Sequence, residues 1–353
     1  MRRRLMRRRL MRRPLVLGVA GLAVLGAAAV ALATCGPLPH PPSVTPSSSG
    51  GASPPSAMRT GPFQAGPVVP PPSGALLGAW VKPAVFTQPA RVDAVTAFES
   101  ALGRPLDLVN TYRRFDESFP TLSDKTLAES GRILMLSWAI DDTRVVTSGS
   151  QDAALRGWAR RIRDFGHPVL LRFRWEMDRP NLQAAMWSAA DYVEAWKHVH
   201  TLFIAEHVAN VSWVWCPTVE GFAGGYAPAF YPGDDQVDWT CVDAYAGHSL
   251  RPLGELLRPF LAWAAAHPKP IVIGEFGVAA IWGTAARAAW LTDAAAVVER
   301  NPQIKAVSYF DSNPDGNGPD EQFQLADPPV LSAFTRLARS PYFNPRSRLR
   351  HAH

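Results

Sequence analysis

From residue 75 onward, two apolar rhythms alternate along the chain. Short β-rich runs, several of them apolar almost throughout, read as buried strands: ALLGAWV (75–81), LDLVNTY (106–112), RILMLSW (132–138) and PVLLRFRW (168–175). Between them the apolar residues recur at helical spacing. Val92, Val95, Phe98 and Leu102 share one face, a short helical stretch begins near Asp124, and Leu155, Trp158, Ile162 and Phe165 form the next face. Tyr192, Trp196, Val199 and Phe203 follow the fourth strand in the same way.

The second half keeps the order. VSWVWCP (211–217) leads into a Gly-rich aromatic loop rather than a clear helix, then comes VDWTCVDAY (237–245) and the helical LGELLRPFLAWAAAH. PIVIGEF (270–276) is a strand, 285–300 is helical, IKAVSYF (304–310) is a strand and PVLSAFTRLA is a closing helix. Eight strand–helix units in succession predict a (β/α)8 TIM barrel. A doubly wound open sheet shares the alternation, but neither G-x-G-x-x-G after the first strand nor a phosphate loop is present.

The N-terminus follows different rules. Eight arginines lie within the first thirteen residues, ahead of about twenty apolar ones, as in an export signal or a single membrane span. Cys35 after Leu32–Thr34 fits lipoprotein processing, Ala31–Ala33 fits ordinary signal cleavage, and an uncleaved segment makes an anchor; the three remain open. Residues 36–74 are dominated by Pro, Ser and Gly and read as a disordered linker. The expected organisation is a signal or anchor over 1–35, linker over 36–74, barrel over 75–340 and a basic tail over 341–353.

Charge changes little once this leader is set aside. Subtracting its eight arginines from the 36 Lys+Arg leaves 28 against 30 Asp+Glu, so nucleic acid is not an expected partner. Of the three cysteines, Cys216 and Cys241 fall in apolar strands, and the reading favoured is a pair of buried free thiols rather than a bridge. His198, His200 and His207 share a helix without evident carboxylate company, and Ser137 and Ser308 lack triad partners, so no metal or organic cofactor is expected.

Catalytic groups of a barrel sit at the C-terminal ends of its strands. Two glutamates meet that condition: Glu176, directly after PVLLRFRW, and Glu275 in PIVIGEF. They belong to the fourth and seventh strands, nearly opposite across the mouth. Each alone is explained by an ion pair with Arg172 or Arg174; together they match the acid and nucleophile of glycosidic cleavage. Trp138, Trp213, Trp215, Tyr226, Tyr231, Trp239 and Trp282 lie near strand ends or loops where rings can stack on sugars, with Trp282 the best placed.

RFRWEMD, VSWVWCP, YPGDDQVDWTCVDAY and KPIVIGEFG resemble successive landmarks of glycoside hydrolase family 26, the β-mannanase-like retaining enzymes of the four/seven barrel clan, over about residues 75–340. The resemblance implies that Glu176 is the acid/base, that Glu275 is the nucleophile, that Tyr245 donates a hydrogen bond to the nucleophile and that Asp243 belongs to the same site. It also marks departures. Trp175 stands where the family usually has His, Asp178 where it has Asn, and Phe310 where a Trp is common at the end of the last strand. Arg172, Trp175, Asp178, Trp215, Trp282 and Phe310 complete the expected substrate-binding set.

The expectation is an exported, monomeric retaining endo-glycosidase acting on a β-linked polysaccharide, tethered to the cell membrane or released outside it. The altered residues around the glutamates predict poor activity on mannan. The alternative is a carbohydrate-binding barrel that has lost turnover.

Overall fold

The computed structural model describes residues 66–140, 142–314 and 318–345. The leader, most of the Pro/Ser/Gly linker, Cys35 and the basic tail from residue 346 lie outside the described residues. Eight parallel strands close into a barrel in sequence order: β1 Leu76–Val81, β2 Leu108–Arg114, β3 Ile133–Ala139, β4 Val169–Phe173, β5 Val211–Trp215, β6 Trp239–Ala246, β7 Ile271–Val278 and β8 Ile304–Asp311. Closure is made by β1 on β8, from Leu76 opposite Ala306 to Val81 opposite Asp311. The Gly-rich loop after β5 forms a short helix, Val219–Ala223, capped by the Thr218 hydroxyl, and a 3-10 turn at Ala227–Phe230.

Strand alternation sorts the side chains into two cores. Leu108, Met135, Leu170, Val214, Cys241, Val272 and Ala306 point inward and fill the lumen. Val109, Leu134, Leu136, Leu171, Trp213, Val242, Ile273 and Val307 point outward beneath the helices. The helix Gln88–Leu102 shows how each outer element is held. Thr87 accepts the Ala90 amide, Pro89 occupies its first turn, and Gly103, at φ +70°, ends it by donating to Glu99 and Ser100. Helix Ala189–Ala205 buries Tyr192, Trp196, Val199 and Phe203, the four residues its spacing picked out.

The barrel begins earlier than the composition suggests. Val68, within the expected linker, is buried in the lumen cluster; its amide donates to Ser212 Oγ at 2.9 Å and its carbonyl accepts the Trp239 indole. One apolar side chain among prolines and serines thus stoppers the end of the barrel opposite the mouth.

The lumen also holds a correction. Cys216 and Cys241, both fully buried, are joined in a disulfide between the β5 and β6 segments, not left as free thiols. Inward alternation on adjacent strands puts their Cα atoms 4.3 Å apart, which an apolar surrounding sequence does not reveal.

Candidate active site

Below the mouth, the lumen turns polar. Arg172 points inward from β4, has no exposure, and donates to Asp243 Oδ2 on β6 and, at 2.9 Å, to Glu275 Oε1 on β7. Ser137 accepts from the same guanidinium at 3.1 Å. Gly274 makes the cluster possible, because a Cβ there would lie 2.7 Å from Asp243 Oδ1 and 3.0 Å from Arg172 Cζ.

Glu275 faces inward through an irregularity in β7. Ile273 and Phe276 both point outward, so two residues, Gly274 and Glu275, share one inward step, and the pairing with β6 and β8 shifts at this place. The extra residue aims the carboxylate into the lumen, where simple alternation would turn it toward the helices. There its oxygens accept three donors: Tyr112 at 2.7 Å and Arg172 on Oε1, and Tyr245 at 2.6 Å on Oε2. Burial, then the charge of Glu275, push the Tyr112 and Tyr245 phenols well above their usual range, so both remain donors.

Glu176 arrives by a different device. β4 ends at Phe173, and the chain then passes Arg174 at φ +44° and Glu176 at φ +54°. The left-handed region is costly for side-chain-bearing residues, about 1–3 kcal/mol each. Neighbours hold the turn: the Arg174 amide donates to Trp138 O at 2.9 Å and the Glu176 amide to Cys216 O at 2.7 Å. Trp175 and Glu176 are thereby presented side by side, which strand alternation forbids. The Glu176 carboxyl is pushed up to about 7 by burial and by the facing Glu275 charge, against the pull of Arg179, whose guanidinium donates to Oε2 at 2.7 Å.

Oxygens of Glu176, Asp243 and Glu275 all lie within 4.8 Å of one another. Three acidic groups so close could hold a cation, and the cations present are the guanidinium of Arg172 on Asp243 and Glu275 and that of Arg179 on Glu176. The other cluster with ligand spacing, Cys216, Cys241 and Asp243, has its sulfurs tied in the disulfide. Burial drives the Asp243 carboxyl upward, Arg172 opposes it, and the neighbouring glutamate charges reinforce it.

A cavity of about 550 Å3 lies over the ends of β1–β3, lined by Trp80, Phe86, Tyr112 and Trp175 and by polar residues including Arg91, Arg114 and Glu117. Tyr112, which donates to Glu275, links it to the carboxylates of Glu176, Asp243 and Glu275, none of which lines it. Trp80 meets Tyr112 edge-on at 5.0 Å and Tyr112 meets Trp175 at 5.2 Å, so three rings form a continuous wall. Arg172 lies under the Trp175 ring at 5.8 Å. Phe310 packs edge-on against Tyr245 at 5.9 Å, and the half-buried Trp282, on the turn after β7, donates to Gly247 O at 2.8 Å.

Several expected site residues belong elsewhere. Asp178 turns away from the mouth: the Thr218 amide and hydroxyl donate to its carboxylate, which braces the turn after β5 while burial raises it to about 6. Trp215 is fully buried under the helices, its indole donating to Phe230 O and its ring against Trp263 and Tyr231. Trp138, Trp213 and Trp239 are core residues as well. His198 does have a carboxylate partner, Asp152 at 2.7 Å. The sequence reading missed Tyr112, Trp80 and Arg179. The inward rhythm Leu108, Asn110, Tyr112 in β2 carried the signal for the first.

No family model matches the chain. Over 244 residues it is 28% identical to endoglucanase H of Acetivibrio thermocellus, a match covering 63% of this chain and 26% of that relative. Over 140 residues it is 30% identical to the β-1,3-xylanase TXYA of a Vibrio species, covering 37% of this chain and 28% of the relative. The chain thus spans about a quarter of the length of these relatives. Among solved structures it is similar to a GH26 β-mannanase from Bacteroides ovatus (TM-score 0.59, 20% identity, 77% of this chain and 90% of that one). It is likewise similar to the catalytic domain of the GH26 endo-β-1,4-mannanase of Bacillus sp. JAMB-750 (TM-score 0.60, 18% identity, 78% and 88%). The curated relatives are glycoside hydrolases, and the barrel has the fold of the GH26 mannanases.

Proposed function

We propose that this chain is a family-26-like glycoside hydrolase that cleaves a β-linked polysaccharide internally with retention of configuration. The observation that carries the reading is the pair Glu176 and Glu275, with carboxylate oxygens within 4.8 Å across the mouth and opposite surroundings. Retaining enzymes hold their carboxyl groups about 5–5.5 Å apart, whereas inverting enzymes leave about 6.5–9.5 Å for a water. Glu275 is held in one orientation by two phenols and a guanidinium. Glu176, with its carboxyl pushed up to about 7, is poised at neutral pH to give a proton and to take one.

In the first step Glu275 attacks the anomeric carbon while Glu176 gives its proton to the departing glycosidic oxygen. In the second, Glu176 takes a proton from water, the water oxygen bonds to the anomeric carbon, and the bond to Glu275 breaks with its electron pair returning to the carboxylate. Arg172 orients the nucleophile, and Asp243 helps orient Arg172. Trp175 acts as an apolar wall of the adjoining cavity, where a residue with more hydrogen-bonding capacity would read sugar hydroxyls; this disfavours mannan. The curated relatives named endoglucanase and β-1,3-xylanase support a substrate other than mannan.

Export, with a lipid or signal anchor or release, is part of the proposal. The Cys216–Cys241 bridge supports it, since disulfides persist in oxidising compartments. No helix among the described residues is long and apolar enough to cross a membrane, and the leader lies outside them.

The test is a reducing-sugar screen over mannan, mixed-linkage glucan, xylan and arabinan. It is followed by Glu275→Ala, which abolishes turnover and, with azide on an activated aryl glycoside, yields product of inverted configuration. Binding without cleavage of any glycan would establish the non-catalytic alternative.

A further inference from the structure

Arg179 is a second cation at the site that the two-glutamate scheme leaves without a task. It follows Glu176 by one turn, with its amide donating to Glu176 O at 3.0 Å. Its guanidinium, half exposed, reaches back to Glu176 Oε2 at 2.7 Å, while the Glu176 side chain is 13% exposed. The buried cation, Arg172, is already committed to Asp243 and Glu275. Among the described residues, Arg179 is the side chain that hydrogen-bonds Glu176.

We infer that Arg179 is a positioning residue that holds the carboxylate form of Glu176 for the second half of the reaction. The inference rests on the reading of Glu176 as acid/base and adds a device to it. Four other charged groups bear on the pair: Glu275 from β7, Asp243 from β6 and Arg172 from β4, with Glu321, in the loop after β8, acting on Arg179. Before attack, burial and the Glu275 charge together favour the protonated form of Glu176. Once Glu275 is esterified to the sugar and Glu176 has given up its proton, that charge is gone, and Arg179, with a smaller contribution from Arg172, favours the carboxylate that remains. Glu176 is then ready to accept one from the attacking water as the bond to Glu275 breaks. A lone acid held only by burial would stay protonated and make a poor base.

The consequences have a fixed sign. Removing Arg179 raises the Glu176 pKa, so the alkaline limb of kcat/KM moves to higher pH, and deglycosylation slows relative to glycosylation. Because the guanidinium is half exposed, the movement is about half to one pH unit. Arg179→Lys, which keeps the charge, restores most of the wild-type profile.

Two measurements test this in the full chain. The first is a 13C NMR titration of the Glu176 carboxyl, assigned with Glu176→Gln, in wild type, Arg179→Gln and Arg179→Lys. It needs no turnover, and an unmoved titration in Arg179→Gln overturns the inference. The second is the pH profile and burst kinetics on an activated aryl glycoside: Arg179→Gln shows a larger burst and a slower steady state. An unmoved titration with a raised KM assigns Arg179 to substrate contact instead. A moved titration in a protein that cleaves no glycan upholds the ion pair and overturns the proposed function.

Discussion

Arg172→Met offers the sharpest test of how the lumen is built, because it removes one buried cation and leaves two carboxylates facing each other. Arg172 has no exposure and bridges Asp243 and Glu275. Breaking a buried pair by deleting one partner costs about 3–5 kcal/mol, since the remaining charge is neither solvated nor paired. At about 2–4 °C per kcal/mol for a domain approaching this size, the melting temperature should fall by roughly 6–20 °C at pH 8. The loss should depend on pH in a set direction. Burial already raises the Asp243 carboxyl in the folded protein, and losing Arg172 removes the influence that opposes it. The folded variant therefore binds more protons than the unfolded chain, so its stability falls as pH rises above about 4, the ordinary aspartate value. Thermal melts by circular dichroism at pH 5 and pH 8 should show the gap to wild type narrowing at the lower pH, with Arg172→Lys intermediate. A variant that melts with wild type at pH 8, or a gap of equal size at both pH values, refutes the argument.

Other outcomes follow from the same geometry. Glu176→Ala should lose about 10²–10⁴-fold in kcat/KM on a polymer yet keep most of its kcat/KM on aryl glycosides with good leaving groups, where its kcat falls because the second step lacks its base; equal kcat/KM losses on both remove Glu176 from the acid role. Trp175→His should weaken cleavage of the best glycan without lowering the melting temperature, and efficient mannan hydrolysis by the unmodified protein defeats the wall reading. The disulfide closes a 25-residue separation, so replacing both cysteines by alanine should cost about 3–4 kcal/mol in calorimetry; an unchanged melting temperature argues against the bridge.

The barrel was legible because, β5 apart, each buried strand is a short apolar run followed by a helical stripe. The two glutamates were legible because PVLLRFRW and PIVIGEF are clear strands that each place a carboxyl near the mouth. What escaped were features that depend on registers between strands. That Trp215 faces helices and Cys216 the lumen is settled by inward and outward alternation, which a fully apolar run such as VSWVW does not display. Asp178 was expected at the mouth because it stands where the resembled family has Asn, but after the left-handed turn its carboxylate accepts from Thr218 instead. Val68 was hidden by its surroundings, since a single apolar residue in a Pro-rich stretch has no periodicity.

The two left-handed residues that carry Glu176 into place also say where this protein has room to become more stable. Arg174 and Glu176 occupy backbone conformations that glycine adopts freely and other residues resist. At Arg174, a glycine would relieve that resistance, and where the relief exceeds what the arginine side chain and the stiffer unfolded chain contribute, the fold would last longer on heating. It would also let the turn wander, and with it the angle at which the acid meets its substrate. Selection for thermostability alone would be expected to accept that change early and lose catalysis with it. Residue 174 is thus a point where endurance and turnover pull the same backbone in opposite directions.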